Sequence, residues 1–311
     1  MNSTPTPPPA KKALSKLPPK NPVAAMPGQP WRDKVTQTAD PNRVYTLNRG
    51  NTQRGKKIII YGASGMGKTT VSAMAPASVF VSADDGADEI LNPLTGEAIP
   101  RYSVRTYQDI RGVLGNPAHF KDFKTVVLDT MTQVEELSIP YILETVTKDG
   151  KTVRSIEGYG WGSGYAHIAD HNTTVKNDLQ RLADTGLNVI VLCQMAPRKE
   201  TSGEVEEYLK DGPKLVWKPN VKAFSVTEFV EWSDFTFKIG YSNLTVSNKR
   251  ATASGQRVIF TQPQPTFEAK ARGEHWTRFP IISFDRPSDD SIWKFVFENA
   301  WKNVPEAEGS Q

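Results

Sequence analysis

Only one cysteine, Cys193, stands in the 311 residues. That excludes a disulfide framework and any cysteine-based zinc site. The four histidines are scattered and offer no metal-ligand spacing. Long hydrophobic runs are missing too: no stretch approaches the roughly 18 apolar residues that a membrane helix needs, and the first residues lack the apolar core of a signal peptide. These absences lead to the expectation of a soluble, cytoplasmic chain with no membrane partner. A dominant charge is also absent. The 38 basic against 34 acidic residues leave a net charge of +4, which permits nucleic-acid contact without the clustering that would announce it.

What is present is enough apolar material for a core. Hydrophobic residues make up 38% of the chain, and its length suits one large α/β domain with tails. The first thirty residues hold nine prolines, with Lys11, Lys12, Lys16 and Lys20 among them. Residues 1–42 therefore read as a disordered basic tail, and 303–311 as a flexible polar one. Between them, Lys57 to Tyr61, Ser78 to Ser82, Thr125 to Leu128 and Asn188 to Leu192 are short, nearly continuous apolar runs bounded by Gly, Asp or Pro. Such runs suit strands buried on both faces. Alternating with helix-like segments, they indicate an α/β fold with a mainly parallel, twisted sheet. Tyr165, Ile168, Asn172, Val175, Leu179 and Leu182 recur every three or four residues and predict an amphipathic helix stopped at Thr185-Gly186. Asp234 to Tyr241, Asn243 to Val246 and Arg257 to Thr261 read as β-rich and hairpin-like, extending one edge of the sheet. Ala196 to Pro213, polar and carrying Arg198, Lys199 and Lys210, reads as a long loop of functional interest.

Four elements carry chemistry. Gly62, Gly67, Lys68 and Thr69 satisfy G-x-x-x-x-G-K-[ST] directly after an apolar strand. The loop Gly62-Ala63-Ser64-Gly65-Met66-Gly67-Lys68-Thr69-Thr70 is expected to wrap its backbone N–H groups around a phosphate chain, with Lys68 on the β- and γ-phosphates and the Thr69 hydroxyl on Mg2+. Asp129 ends the run Thr125 to Leu128 and is the candidate second metal-ordering group. Asp84 and Asp85 follow the run Ser78 to Ser82, and one of them is a candidate to position the attacking water; a solvated Asp-Asp-Gly turn is the alternative. Gln194, just past the run Asn188 to Leu192, is placed to sense the γ-phosphate, unless it merely caps a surface loop.

With these elements in this order, the chain resembles the RecA-like core ATPases over about residues 50–285. It is most similar to a phage-encoded, AAA-type family of RecA-like nucleotide-binding proteins, some of them single-strand annealing recombinases. The resemblance rests on Gly62 to Thr70, on Asp84 or Asp85 where RecA-like proteins carry a catalytic glutamate, on Asp129, and on Gln194. It also rests on Tyr159 to Tyr165 and on Lys270 and Arg272 near the end. It implies an ATP and Mg2+ site completed by a neighbouring subunit, with Lys270 and Arg272 acting in trans on the γ-phosphate. It further implies a homo-oligomer, ring or filament, that binds single-stranded DNA for annealing or recombination in a bacterial host cell. Arg198, Lys199, Tyr159 and Trp161 would meet the DNA, and a single-strand binding protein is a conceivable partner. Aspartate in place of the glutamate shortens the reach to the attacking water by one methylene. The residues before the phosphate loop hold no helical oligomerisation segment of the RecA type. Two rivals stay open: a non-hydrolysing, ATP-dependent assembly switch in a phage replication or packaging complex, and a P-loop nucleotide kinase, against which the lack of an arginine-rich lid segment speaks.

Overall fold

A computed structural model of the chain describes residues 54–83, 90–160, 162–202, 205–215, 224–247 and 250–304. The chain divides into two units, Met1–Asn51 and Thr52–Gln311, and every described residue belongs to the second. The expected tail over 1–42 and all of the other tail beyond residue 304 lie outside the described residues.

The order of elements begins with β1 (Lys57–Gly62), α1 (Lys68–Ala73), β2 (Ser78–Ser82), β3 (Arg101–Ser103) and α2 (Tyr107–Leu114). It continues with β4 (Thr125–Asp129), α3 (Met131–Thr145), the small pair β5 (Thr147–Lys148) and β6 (Lys151–Thr152), and the long α4 (Ser163–Asp184). Then come β7 (Asn188–Ser202), β8 (Val205–Pro213), α5 (Phe224–Trp232), β9 (Phe235–Ser247), β10 (Arg250–Phe260), β11 (Lys270–Ala271), β12 (Ile281–Ser283) and α6 (Ser291–Phe297).

The main sheet runs β12-β10-β9-β1-β7-β4-β2-β3 in space. From β9 to β3 every neighbouring pair is parallel, whereas β10 and β12 add antiparallel strands at the C-terminal edge. This is the mainly parallel α/β sheet, with a β-rich C-terminal edge, that the apolar runs indicate.

Alternation along the strands explains why those runs are continuous. Ile58 and Ile60 of β1 pack on one face with α1, Phe237, Trp276, Phe284 and α6. Ile59 and Tyr61 pack on the other with side chains of α2, α3, α4 and α5. Both faces are covered, so both parities of a central strand must be apolar.

The local signals are also met. Thr106 and Asp109 form a reciprocal capping box at the start of α2. Along α4, Ile168, Asn172, Val175, Leu179 and Leu182 form a buried stripe, and the helix ends at Thr185 before Gly186, whose φ is 99°. Asn172, polar within that stripe, donates from Nδ2 to Glu135 on α3. Asp178, fully buried, is held by Arg111 of α2 and Arg181.

Two expectations change. Ala196 to Pro213 is not a loop: β7 continues past the sheet to Ser202 and β8 returns antiparallel, with Met195 opposite Pro213 and Lys199 opposite Leu209. A two-stranded ribbon outside the core needs no apolar alternation, so its polar sequence hid it; the dipeptide Ser202-Gly203 was the available turn signal. Tyr159, expected to meet DNA bases, is buried at 5% exposure, and its hydroxyl donates to Ile142 O and Val146 O beside the C-terminus of α3. Its ring is core, not a stacking platform.

Candidate nucleotide site

The phosphate loop leaves the sheet where β1 ends. Gly62 sits so close to β9 that an added Cβ would lie 2.7 Å from Ile239 O, a backbone atom that cannot move aside. Gly65 and Gly67 hold φ of 75° and 94°, the left-handed region where side chains other than hydrogen are strained. Between them Met66 turns inward, 7% exposed, into the core on the α1 face, while Ala63, Ser64 and Gly65 remain exposed. The methionine anchors the loop and the glycines shape it. Val71 N then donates to Gly67 O at 2.9 Å, starting α1.

Lys68 is 9% exposed and its ammonium donates to Gly62 O at 3.0 Å and Ala63 O at 2.9 Å, folding back across the loop. Burial pushes this ammonium below the usual lysine range, with the Asp129 carboxylate opposing the shift. Thr69 Oγ1 donates to Asp129 Oδ2 at 2.8 Å, and Asp129 is 6% exposed at the end of β4. A hydroxyl and a carboxylate side by side are hard oxygen donors of the kind Mg2+ accepts while keeping several waters. Among the described residues no group of three or more His, Cys, Asp or Glu forms a metal cluster; Mg2+ is commonly held by one or two carboxylates together with substrate phosphates. The residues present fit a nucleotide polyphosphate with Mg2+.

Gln194 reaches the site through register. It lies opposite Gly62 across the parallel β1/β7 pair, at the mouth of the phosphate loop, and is exposed. Its backbone N–H donates to Thr132 Oγ1 at 3.2 Å, and its carbonyl accepts from Lys214 N at 2.7 Å. Thr132 and Lys214 were not singled out from the sequence. They tie the strand end to α3 and to the base of the β7/β8 ribbon. Lys210 of the ribbon is paired with Glu268 at 3.0 Å, and Lys199 is exposed. Cys193, fully buried next to Gln194, has its thiol pushed up by burial.

Lys270 and Arg272 lie elsewhere. β11 pairs with the start of β9, Lys270 opposite Thr236, and Thr236 pairs with Ile59 near the start of β1, so both cations sit at the sheet end away from their own phosphate loop. The Lys270 ammonium donates to Val230 O, Glu231 O and Ser233 O at 2.7–3.0 Å and caps the C-terminus of α5. Arg272, its side chain 58% exposed, meets Asp234 at 3.5 Å. Asp84, Asp85 and Trp161 lie outside the described residues.

On the β9 side of the loop the structure brings in residues that sequence reading passed over. Phe284, fully buried, and Arg257 both approach Gly67, whose added Cβ would lie 2.9 Å from the Phe284 ring and 3.3 Å from an Arg257 guanidinium nitrogen. No sequence signal near Gly67 could have found them, since Arg257 lies on β10 and Phe284 just past β12, both far along the chain.

A family model described as an AAA domain matches residues 54–273. Among solved structures, the chain is similar to a KaiC-like protein from the hyperthermophilic archaeon Pyrococcus horikoshii OT3, at 13% identity and a TM-score of 0.35, over 76% of this chain and 88% of that one. No curated protein matches the sequence. No helix among the described residues is long and apolar enough to cross a membrane.

Proposed function

Because the chain belongs to the AAA domain family over residues 54–273, we propose that it is a phage-type, RecA-like ATPase that binds single-stranded DNA in an ATP-dependent way and promotes annealing or homologous recombination. The observation that carries the nucleotide half of this reading is the Thr69–Asp129 hydrogen bond beside Lys68, with Gln194 in register at Gly62. Lys68 exchanges its two carbonyl partners for the β- and γ-phosphates, whose charge offsets the burial of its ammonium. Thr69 and Asp129 would hold Mg2+, which neutralises charge on the phosphates.

The DNA half is supported by continuity. Gln194 and the ribbon are one strand, and the Lys214 N–H fixes the ribbon base to the Gln194 carbonyl. A small shift of Gln194 toward a γ-phosphate would therefore move the ribbon that bears Arg198 and Lys199, coupling nucleotide state to phosphate contacts along a single strand of DNA. Arg272, exposed and remote from its own phosphate loop, suits action on a neighbouring subunit, with Lys270 beside it, in a ring or filament.

The test is ATP turnover with and without single-stranded DNA. Turnover is expected to rise with DNA and to vanish in Lys68→Ala. Tight single-strand binding that ignores both ATP and that substitution overturns the mechanism. A second reading, a non-hydrolysing assembly switch, is favoured by Asp84-Asp85 standing where a longer carboxylate is usual. ATP-dependent oligomerisation without phosphate release would select it.

A further inference from the structure

The candidate Mg2+ ligand Asp129 and the candidate γ-phosphate sensor Gln194 lie on one flank of the phosphate loop. Gln194 comes from β7 and Asp129 from β4, both on the same side of β1. A nucleoside triphosphate has two chemically different ends, so one laid across the loop with its γ-phosphate toward Gln194 and Asp129 would turn its nucleoside end to the opposite flank, formed by β9 and β10.

That flank is built. β9 runs parallel to β1, so its C-terminal half extends past the level of Gly62, where Ile239 makes the close backbone approach. Phe235, Phe237 and Ile239 pack into the core on the α1 face, and Tyr241, two residues on, projects to the same face by alternation. Tyr241 is 41% exposed, one of few large apolar-bodied side chains left open to solvent among the described residues. Directly opposite it across the antiparallel pair stands Arg257 of β10. The Arg257 guanidinium lies over the Phe284 ring at 5.2 Å and reaches to 3.3 Å from where a Cβ on Gly67 would be. The Arg257 carbonyl accepts from Phe284 N at 2.8 Å, which fixes backbone and ring together. Among the described residues this guanidinium has no hydrogen-bond or ion-pair partner. A charged fork held beside a phosphate loop, with its donors unspent, is suited to bidentate contact with phosphate oxygens.

We propose that Arg257 and Tyr241 form the nucleoside-side half of the ATP site. Arg257 bonds phosphate oxygens on the Gly67 flank, at the α- or β-position, and the Tyr241 ring stacks on the purine base. The assignment rests on the nucleotide-binding reading of Lys68, Thr69 and Asp129 and adds to it the element that distinguishes a nucleoside triphosphate from a bare polyphosphate.

Calorimetric titration with ATP and with inorganic tripolyphosphate tests it. Arg257→Gln keeps a stem over the Phe284 ring and removes the charge. It is expected to weaken both ligands by roughly tenfold or more, the loss of a charge-assisted contact. Tyr241→Ala is expected to weaken ATP by at least about fivefold and not tripolyphosphate, and Tyr241→Phe to recover the loss, because stacking needs only the ring. Each variant is compared with the parent for thermal midpoint without ligand, so that a folding defect is recognised. Parental ATP affinity in folded Arg257→Gln and Tyr241→Ala, with binding lost in Lys68→Ala, overturns the assignment while leaving the nucleotide reading intact. Tyr241→Ala weakening both ligands equally overturns the base-stacking role. Lys68→Ala binding ATP as the parent does removes the nucleotide reading, and this assignment with it.

Discussion

Thr69 Oγ1 and Asp129 Oδ2 meet at 2.8 Å although sixty positions separate them in the chain. β7 lies between β1 and β4, so the contact is made by the start of α1 crossing β7 to the carboxylate at the end of β4. Either residue alone is an ordinary helix-start threonine or strand-end aspartate. Together they set a hydroxyl and a carboxylate side by side, hard oxygen donors of the kind Mg2+ accepts.

Asp129→Asn preserves size and an oxygen acceptor for Thr69 but removes the charge. Phosphate release in the presence of Mg2+ is expected to fall by about a hundredfold or more, the scale of losing a transition-state electrostatic contact. The Mg2+-dependent gain in ATP affinity should disappear with it. Titrating ATP with Mg2+ and with a chelator present separates the two effects, and an intact Mg2+ dependence would remove Asp129 from the cation seat.

Gly62→Ala places a methyl 2.7 Å from Ile239 O, between two parallel strands that cannot separate without breaking their pairing. The expected cost is about 1–3 kcal/mol of overpacking, read as a shift in the urea midpoint at constant slope.

Arg272 offers a test of action between subunits. Its Asp234 contact is long and exposed, so Arg272→Ala should alter stability by less than about 0.5 kcal/mol. If it acts in trans, Arg272→Ala and Lys68→Ala are each inactive alone, yet mixing them restores part of the turnover, since one supplies the phosphate loop and the other the arginine. Lys270→Ala should behave differently, destabilising the fold by about 1–2 kcal/mol through loss of the α5 cap. A mixture as inactive as its components argues against the trans site.

Lys68 gives a proton signature. Its buried ammonium lies below the usual lysine range in the free protein, and anionic phosphates raise it on binding. A lowered value means that the folded, free protein loses this proton more readily than the unfolded chain, so burying the charge costs stability at neutral pH and the cost fades as pH rises. Nucleotide reverses the shift. At about pH 9, below the ordinary lysine value, ATP binding should take up a fraction of a proton, measured by calorimetry in buffers of different ionisation enthalpy. The uptake should be missing in Lys68→Met.

Much of the core was legible because local rules and the global fold agree. The four apolar runs became β1, β2, β4 and the sheet part of β7, and the stripe from Ile168 to Leu182 became α4. The ribbon over 195–213 departs from the expected loop because strands outside a core carry no apolar alternation to detect. Tyr159 differs from the expectation because an aromatic at the start of a glycine-rich segment has no local mark that tells a core ring from an exposed one. Thr132 and Lys214 carry no motif either; only their hydrogen bonds to Gln194 give them a place.

By itself the sequence determined the phosphate loop, since Gly62, Gly65, Gly67, Lys68 and Thr69 act through spacing along one short segment, where backbone conformation and residue type are set together. It also determined which strands are central, through continuous burial. Tertiary structure alone decided where distant groups lie relative to that loop. β-sheet order is a long-range choice made by packing, and it set Asp129 and Gln194 on one flank of the loop, Arg257 and Tyr241 on the other, and Lys270 at the far end of the sheet as a helix cap.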